Sequence, residues 1–496
     1  MSDIKQDLRE LLGAVCNITE NERFDVYLVG GFVRDCLLHK ETWDIDIAVP
    51  GDALELAQKI APGLHGKYVL LDESKRIARI VIKKEKSQAY LDLSSYKGTI
   101  DADLGRRDFS INAMAINLKT FLTGAGEIID PFHGREDLRK GCIKAISPGV
   151  FREDPSRLLR AVRFAFKLNY KISRSTENQI LKDSHLIKDV PGEKAREELL
   201  YLINLPNAGP AFRYMDKVKL LSGLIPEIES MKGVEQPREH YWDVFNHSLE
   251  TIGAIEFLLM ENDWRYNIGH LQSHSQWAGK LVEHFNKKVS SGSTRKQILK
   301  LAGLLHDIAK PITRKIDENG RTRFLNHAAL GADMAVEILK RLRFSNKERL
   351  MAKMLIQQHL RPFQLAHDKL PTGRAVYRFF RDTEGYGIDI LFIALADYLA
   401  ARGGNIETQD WAGANTMLEY IYNEHKKQQR ENLKQKLING HDLMYALGLG
   451  EGPLIGKLLL EIDEAQATGK IKNKMEAIEF VEGKLNRHSR LTREHN

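Results

Sequence analysis

Tyr27-Leu28-Val29-Gly30-Gly31-Phe32-Val33-Arg34-Asp35, followed by Trp43-Asp44-Ile45-Asp46-Ile47, decides how this chain is read. The apolar run from Val26 to Val29 predicts a strand, and the glycine pair that ends it lets a phosphate approach the backbone closely. A helix is expected next, then a second strand carrying Asp44 and Asp46. Side chains alternate across a strand, so positions i and i+2 share a face and bring the two carboxylates together. Carboxylates crowded in a polar cleft repel unless a divalent cation neutralises them. A glycine cradle beside a metal-binding carboxylate pair is what in-line nucleotidyl transfer needs.

The 496 residues imply about three or more domains, and the hydrophobic (43%) and charged (28%) fractions are those of an ordinary globular protein. No apolar stretch approaches the roughly 18–20 residues that span a bilayer, so no membrane partner is expected. The N-terminal stretch MSDIKQDLRELLGAV reads as an amphipathic helix rather than a signal peptide. Cys16, Cys36 and Cys142 form no CxxC pair, which points to a reduced, cytoplasmic protein. A net charge of +7 suits a polyanionic partner such as nucleic acid. Arg152, Arg157, Arg160, Arg163, Lys167, Lys171 and Arg174 concentrate that charge, in a run that also fits a solvated helix face.

Residues 1–145 alternate β-rich runs (VYLVG, DIDIAV, YVLL, RIARIVIKK, QAYLDLSS) with helical stretches, an α+β layout around a small mixed sheet. Strand signals almost vanish beyond. The expected division is a head at 1–145, a helical neck at 146–232, a helical module at 233–415 and a helical tail at 416–496. Ser290-Ser291-Gly292-Ser293 interrupts the third part, and Asn319-Gly320 predicts a hairpin there. A charged helix over 418–436 leads into the tail.

Three further segments extend the first. Asp92, in Tyr90-Leu91-Asp92-Leu93, is either a third carboxylate near the metals or a solvent-facing strand residue. Arg106-Arg107-Asp108-Phe109-Ser110-Ile111-Asn112-Ala113 is expected to open an apolar helix, with guanidinium and amide groups suited to triphosphate and an aspartate suited to a ribose hydroxyl. In Glu153-Asp154-Pro155-Ser156-Arg157-Leu158-Leu159-Arg160, Pro155 fits a first helical turn, which would project Asp154 and Arg157 together. A planar donor fork beside a carboxylate can read the Watson–Crick edge of a base without a template; the same spacing fits a local ion pair.

GGxVRDxLL, WDID, RRDFSINAMA, IIDPFxGxxDL and EDPxRLLRAVRFA follow in that order. The chain thereby resembles class II tRNA nucleotidyltransferases, the CCA-adding enzymes, and their poly(A) polymerase relatives. The resemblance implies a polymerase-β-type head with Mg²⁺ on Asp44 and Asp46. It places triphosphate at Gly30, Gly31, Arg34 and Asp35, and ribose and phosphates at Arg107, Asp108 and Asn112. The base falls to Asp154 and Arg157, with Arg160 and Arg163 on the same helix counted as nucleotide-binding. The implied partners are CTP, ATP and the 3′ end of tRNA or another RNA. Lys194, in Glu193-Lys194-Ala195-Arg196-Glu197-Glu198-Leu199, stands where the family usually has arginine. The short connection SSYKGTIDADLG resembles that of enzymes adding only two cytidines, so CCA and CC alone both stay open. KYVLLDESKRIARIVI matches the poly(A) polymerase branch poorly, which ranks tRNA repair above polyadenylation. A protein-modifying nucleotidyltransferase lacks RRDFSINA and EDPSRLLR and ranks lower again.

His247, His306-Asp307 and Asp397 lie on separate predicted helices in an order that resembles the HD phosphohydrolase superfamily, whose four such side chains hold a divalent metal. Imidazole and carboxylate together suit a divalent transition metal, which would generate hydroxide to attack a phosphoester. His327 and His359 are candidates for a second metal position, and His240 reads as peripheral. Nothing in the sequence sets the oligomeric state.

Overall fold

The computed structural model describes residues 5–20, 22, 24–84, 88–266, 276–290, 292–365, 370–432 and 436–493; Ser291, residues 433–435 of the charged helix and the first four residues lie outside them. The chain divides into two compact units, Met1–Glu198 with Tyr214–Leu224 and Leu199–Arg213 with Ile225–Asn496.

In the first unit the order is α1 (Gln6–Thr19), β1 (Tyr27–Val29), α2 (Gly30–Leu37), β2 (Asp44–Val49), α3 (Ala53–Gly63), β3 (Lys67–Asp72), β4 (Ile77–Lys83), β5 (Gln88–Ser95), β6 (Ala115–Asn117) and β7 (Ile128–Ile129). The strands form one seven-stranded sheet in the order β3-β4-β5-β2-β1-β6-β7. β2 and β5 run parallel while their outer neighbours pair antiparallel, so the sheet is mixed as expected. Alternation along β2, β5 and β4 puts Ile45, Ile47, Leu91, Leu93, Ala78 and Ile80 on one face, where they bury against Leu8, Leu12 and Val15 of α1 and Leu56, Ala57 and Ile60 of α3. Each such aliphatic contributes about 1.5–3 kcal/mol. The opposite face of the same strands is left to the polar residues.

Downstream, β8 (Cys142–Ile143) pairs in parallel with β9 (Lys171–Ile172) across the helix α4 (Arg157–Leu168). This pairing bridges the expected head–neck boundary at 145. Helix α5 (Gly192–Ile203) follows, its residues up to Glu198 belonging to this unit.

Two local expectations are corrected. Arg106–Ala113 opens no helix: Ser110–Asn112 forms a single 3₁₀ turn that runs into β6. Backbone pairing with 144–146 wins, because Ser110 N–H donates to Lys144 O, Ile146 N–H donates to Asp108 O, and Phe109 bridges Ala145. Pro155 likewise sits in a turn before α4. Asp154 is extended, and its carboxylate accepts from the Ser156 N–H and hydroxyl, a local alternative to helix.

The second unit is helical: α6 (Val244–Leu258), a ribbon of β10 (Lys288–Ser290) and β11 (Ser293–Thr294), α7 (Arg295–Leu305), β12 (Arg314–Ile316), β13 (Thr322–Phe324), α8 (His327–Arg341), α9 (Asn346–Gln358), α10 (Gly387–Arg402) and α11 (Thr408–Asn432). β12 and β13 are the hairpin expected at Asn319-Gly320, with Gly320 at φ +75°. α6 packs on α7 and α10, and α8 and α9 pair beside them. The boundary expected at 415 falls inside α11, which runs through it unbroken. α12 (Gly440–Leu447), α13 (Pro453–Ala467) and α14 (Lys474–Arg493) close a small core of Leu443, Ile455, Leu458, Ile462 and Val481. No described helix is long and apolar enough to cross a membrane.

Ile47 is fully buried at the centre of the head. Ile47→Ala is expected to lower the unfolding free energy by about 2–5 kcal/mol, read as a lower chemical-denaturation midpoint. An unchanged midpoint would remove this face from the core.

Candidate active sites

Parallel pairing of β2 with β5 aligns Asp46 with Asp92 and Asp44 with Tyr90, and β4 adds Arg79 opposite Asp92. Residues in one cross-strand row point to one face, so Asp44, Asp46 and Asp92 gather on the face away from the core. Gly30 opens α2 at φ +65°, a conformation a Cβ would strain. A Cβ there would also stand 2.6 Å from Arg107 Nη1 and 3.1 Å from Asp46 Oδ2. Glycine is thus required where backbone, carboxylate and guanidinium converge. The Gly31 N–H donates to Asp46 Oδ2 at 3.2 Å. Burial pushes the Asp46 carboxyl up to about 6, with Asp44 and Asp92 adding to the rise and Arg107 opposing it. Burial and the neighbouring Asp92 raise Asp44 as well. These carboxylates are short of positive charge, and that deficit fits a divalent cation.

Beside them lies a continuous polar chain. Arg34 is buried and forks onto Asp35 at 2.8 and 2.9 Å, and its Nη1 donates to Asn112 Oδ1 at 2.6 Å. Asn112 Nδ2 donates to Asp108 Oδ1 at 3.0 Å, and Arg160 reaches Asp108 Oδ2 at 2.8 and 2.6 Å. Burial alone would raise Asp108, but Arg160, Asn112 and the Phe109 N–H outweigh it and hold the carboxyl below the usual range. Arg34, Arg160 and Arg163 all cluster about the Phe164 ring, 5.2, 5.4 and 4.7 Å from its centroid, and Arg163 pairs with Glu198 at 2.8 Å. The result is a wall of three arginines, each held by a carboxylate.

Asp154 and Arg157 are placed differently from the helical expectation. Asp154 binds Ser156 and lies 3.5 Å from Lys194, so lysine keeps a cation at that carboxylate. Arg157 donates to Arg106 O, Val150 O and Glu153. Two participants escape a linear reading. Arg79 shows its relation to Asp92 only once the register of β4 and β5 is known. Phe164 carries only the weak signal of standing one turn from Arg160.

In the second unit His247 on α6, His306 and Asp307 after α7, His327 opening α8, His359 ending α9 and Asp397 on α10 converge. His247 Nε2 lies 3.1 Å from His306 Nε2 and 2.9 Å from Asp397 Oδ1. Two sets of ligand atoms, His247/His306/Asp397 and His306/Asp307/His359, each lie within 4.8 Å of one another. His306, His327 and His359 donate Nδ1–H to the carbonyls of Gly303, Phe324 and Ile356 at 2.8, 2.6 and 2.7 Å. This turns each Nε2 toward the cluster, the orientation a metal ligand requires. Asp307 Oδ1 and His327 Nε2 are buried with no hydrogen bond among the described residues. Burial lowers His306, but Asp307 and Asp397 overcome it and lift the imidazole to about 10. A proton there stands in for the cation the pair of carboxylates calls for. Lys310, unremarked in the sequence, sits 2.6 Å from Asp307.

His327, His359 and Asp397 line a pocket of about 430 Å³ with Lys310, Arg321, Arg323 and Arg402 in its wall. Phe363 stacks on Tyr398 at 5.3 Å, and the Arg402 guanidinium lies 3.5 Å over the same Tyr398 ring. His240 is not peripheral: it lines this pocket, 5.6 Å ring to ring from His247.

Residues 26–144 match the poly(A) polymerase head domain, 169–232 the probable RNA- and SrmB-binding site of polymerase A, and 244–402 the HD domain. The chain thus carries a poly(A) polymerase head domain and an HD domain, and the proteins it is similar to are tRNA nucleotidyltransferases. It is 29% identical to a CC-adding tRNA nucleotidyltransferase of Thermus thermophilus over 92% of this chain and 93% of that one. It is 28% identical to an A-adding tRNA nucleotidyltransferase of Deinococcus radiodurans over 92% and 94%. In fold it resembles the Thermotoga maritima CCA-adding enzyme complexed with tRNA, at TM-score 0.61 and 22% identity over 98% and 97% of the two chains.

The polar chain has a stability signature. Because the folded Asp108 carboxyl lies below its unfolded value near 3.9, its contribution is present above that value and drains away as pH falls through the lowered one. Asp108→Asn is expected to cost about 1–3 kcal/mol at pH 7, allowing for the part-exposed Arg160. Its disadvantage against wild type should shrink between pH 5 and pH 3 in paired denaturation curves. A constant difference would detach Asp108 from the ion pair.

Proposed function

We propose that this chain adds nucleotides to tRNA 3′ ends without a template, using CTP and ATP. The observation that carries the reading is the carboxylate cluster on β2, bounded by the Gly30-Gly31 backbone and the arginine wall. Asp44 and Asp46 would hold Mg²⁺, which supplies neutralisation of the triphosphate and a more acidic 3′-hydroxyl. The Gly31 N–H orients Asp46, the glycine turn leaves room for phosphate at the backbone, and Arg34 and Arg107 supply fixed positive charge at its edge. Asp108, braced by Arg160 and Asn112, is an acceptor set for a ribose hydroxyl. Asp154, Arg157, Arg160 and Arg163 are assigned to the nucleotide, with Asp154 and Arg157 exchanging their present partners for a base. Relatives named for CC and for A addition leave the product open at this identity. A second reading, addition that stops at CC, has one observation behind it. The connection after β5 is occupied by a short helix, Ile100–Leu104, capped by Thr99.

The HD centre is proposed as a phosphohydrolase for RNA-end or nucleotide phosphates, with His247, His306, Asp307 and Asp397 holding a divalent transition metal and His327 and His359 completing a second position. The metal supplies a hydroxide nucleophile at neutral pH. Lys310 and the pocket arginines provide charge for the phosphate. Three unpaired cysteines suit a reducing compartment, and a cytoplasmic location is proposed.

Four tRNA transcripts ending before C, at C, at CC and at CCA, given CTP, ATP or both, test the head. Completion of CCA followed by a stop is expected, and a stop at CC with ATP present selects the second reading. Long A tails on every transcript would overturn both. Asp44→Asn should cut incorporation by at least about a hundredfold, the scale of losing a catalytic electrostatic group. For the HD centre, metal-stripped protein reloaded with Mn²⁺, Co²⁺ or Ni²⁺ should hydrolyse terminal or 2′,3′-cyclic phosphates. His306→Ala should abolish that hydrolysis while tRNA extension persists. Hydrolysis surviving in His306→Ala would place it elsewhere.

A further inference from the structure

Arg79 lies on β4, two strands away from the carboxylate pair, yet it belongs to their row. Arg79 faces Asp92 across β4–β5, and Asp92 faces Asp46 across β5–β2. The guanidinium grips both carboxylate oxygens separately, Nε to Oδ1 and Nη2 to Oδ2, each at 2.7 Å. Its plane is braced by the Tyr90 ring, 4.9 Å away, and Tyr90 itself stands opposite Asp44. An ordinary cross-strand ion pair with one partner a third exposed is worth about 0.2–1 kcal/mol and has no further consequence. This one differs because the carboxylate it holds is one of three on the same face. Asp92 raises both Asp44 and Asp46, and Arg79 counteracts it at Asp44.

The fork geometry has a chemical consequence. A carboxylate that accepts two parallel N–H bonds has one lone pair of each oxygen engaged, its charge matched by the guanidinium and its plane fixed. Such a group makes a poor ligand for a hard cation. Without Arg79, Asp92 would be a free third carboxylate next to the pair. A cation would then be bound by three negative charges instead of two, more tightly and in a different position.

We propose that Arg79 is a positioning residue of the transfer centre: it clamps Asp92 out of the cation site, so that Asp44 and Asp46 alone set where and how tightly the divalent ion binds. The inference rests on the nucleotidyl-transfer reading for its effect on turnover, but its binding readout stands apart from that reading.

The test measures Mn²⁺ binding to the nucleotide-free full chain, taking the component that Asp44→Asn removes, so that binding at the HD centre is set aside. Arg79→Met is expected to tighten that component about tenfold, the scale of a single coupling energy between neighbouring groups. Turnover at saturating nucleotide should fall while KM for nucleotide holds. Arg79→Met combined with Asp92→Asn should return the Mn²⁺ affinity to the wild-type value, a rescue that loss of structure alone would not give. Arg79→Lys, which keeps the charge and loses the fork, should tighten binding by a smaller factor, and it carries the test if the methionine variant does not fold. Unchanged Mn²⁺ affinity in the folded variants, or no return in the double variant, overturns the proposal. A wild-type chain that transfers no nucleotide would defeat the proposed function instead and leave the Mn²⁺ comparison to decide on Arg79.

Discussion

Parallel pairing of β2 with β5 is the constraint on which the head depends. Once Asp46 is in register with Asp92, strand alternation leaves one arrangement: isoleucines and leucines toward α1 and α3, carboxylates toward the other face. A one-residue slip of β2 would exchange its faces and turn Asp44 and Asp46 into the core. The apolar packing therefore enforces the geometry of the acidic cluster, and the repulsion within that cluster is a cost the core sustains. Burial is the main cause of the lift of Asp46 to about 6, and repulsion from Asp44 and Asp92 adds to it. A centre held this way need not wait for a ligand to assemble it, since the sheet supplies the preorganisation that transition-state electrostatics require.

The two centres neutralise buried acid by different means. In the head, Asp92, Asp35 and Asp108 are each met by an arginine fork. Arginine keeps its charge throughout the accessible pH range and matches a carboxylate in geometry, so those acids are balanced within the protein, whereas Asp44 and Asp46 accept no such fork among the described residues. In the HD centre the partners of Asp307 and Asp397 are mainly imidazoles, which give up a proton and present a lone pair. The same groups that balance these acids are the ones proposed as metal ligands, and backbone carbonyls orient three of the imidazoles.

The sequence exposes whatever depends on local spacing. Asp44 and Asp46 at i and i+2, the helix-opening glycine pair, the adjacent His306-Asp307 and the Asn319-Gly320 hairpin are all legible, because a strand period or a turn preference brings the residues together without help from elsewhere. What depends on distant pairing is not. Arg106–Ala113 has helical periodicity, yet its backbone bonds to 144–146 and forms a turn. Asp154 looks like a helix-start residue until the Ser156 hydroxyl claims its carboxylate. Arg79 is one of several arginines in a β-rich run, and only the register of two strand pairs gives it a partner. His240 reads as peripheral because nothing in its neighbourhood announces that the chain returns it to His247.

Lys194 shows how a departure from a family pattern can leave the electrostatics intact. It stands where arginine is usual, and it still reaches Asp154, at 3.5 Å and half exposed. A lysine gives a point charge in place of a fork, so Asp154 keeps its counter-ion but loses a second directional bond. Ser156 takes up that role, donating from both its N–H and its hydroxyl to Oδ1. The carboxylate is thus fixed from within its own turn, and the contact from α5 need only balance its charge. Directional restraint on Asp154 thus comes from a residue two positions along the chain, and Lys194 adds only charge.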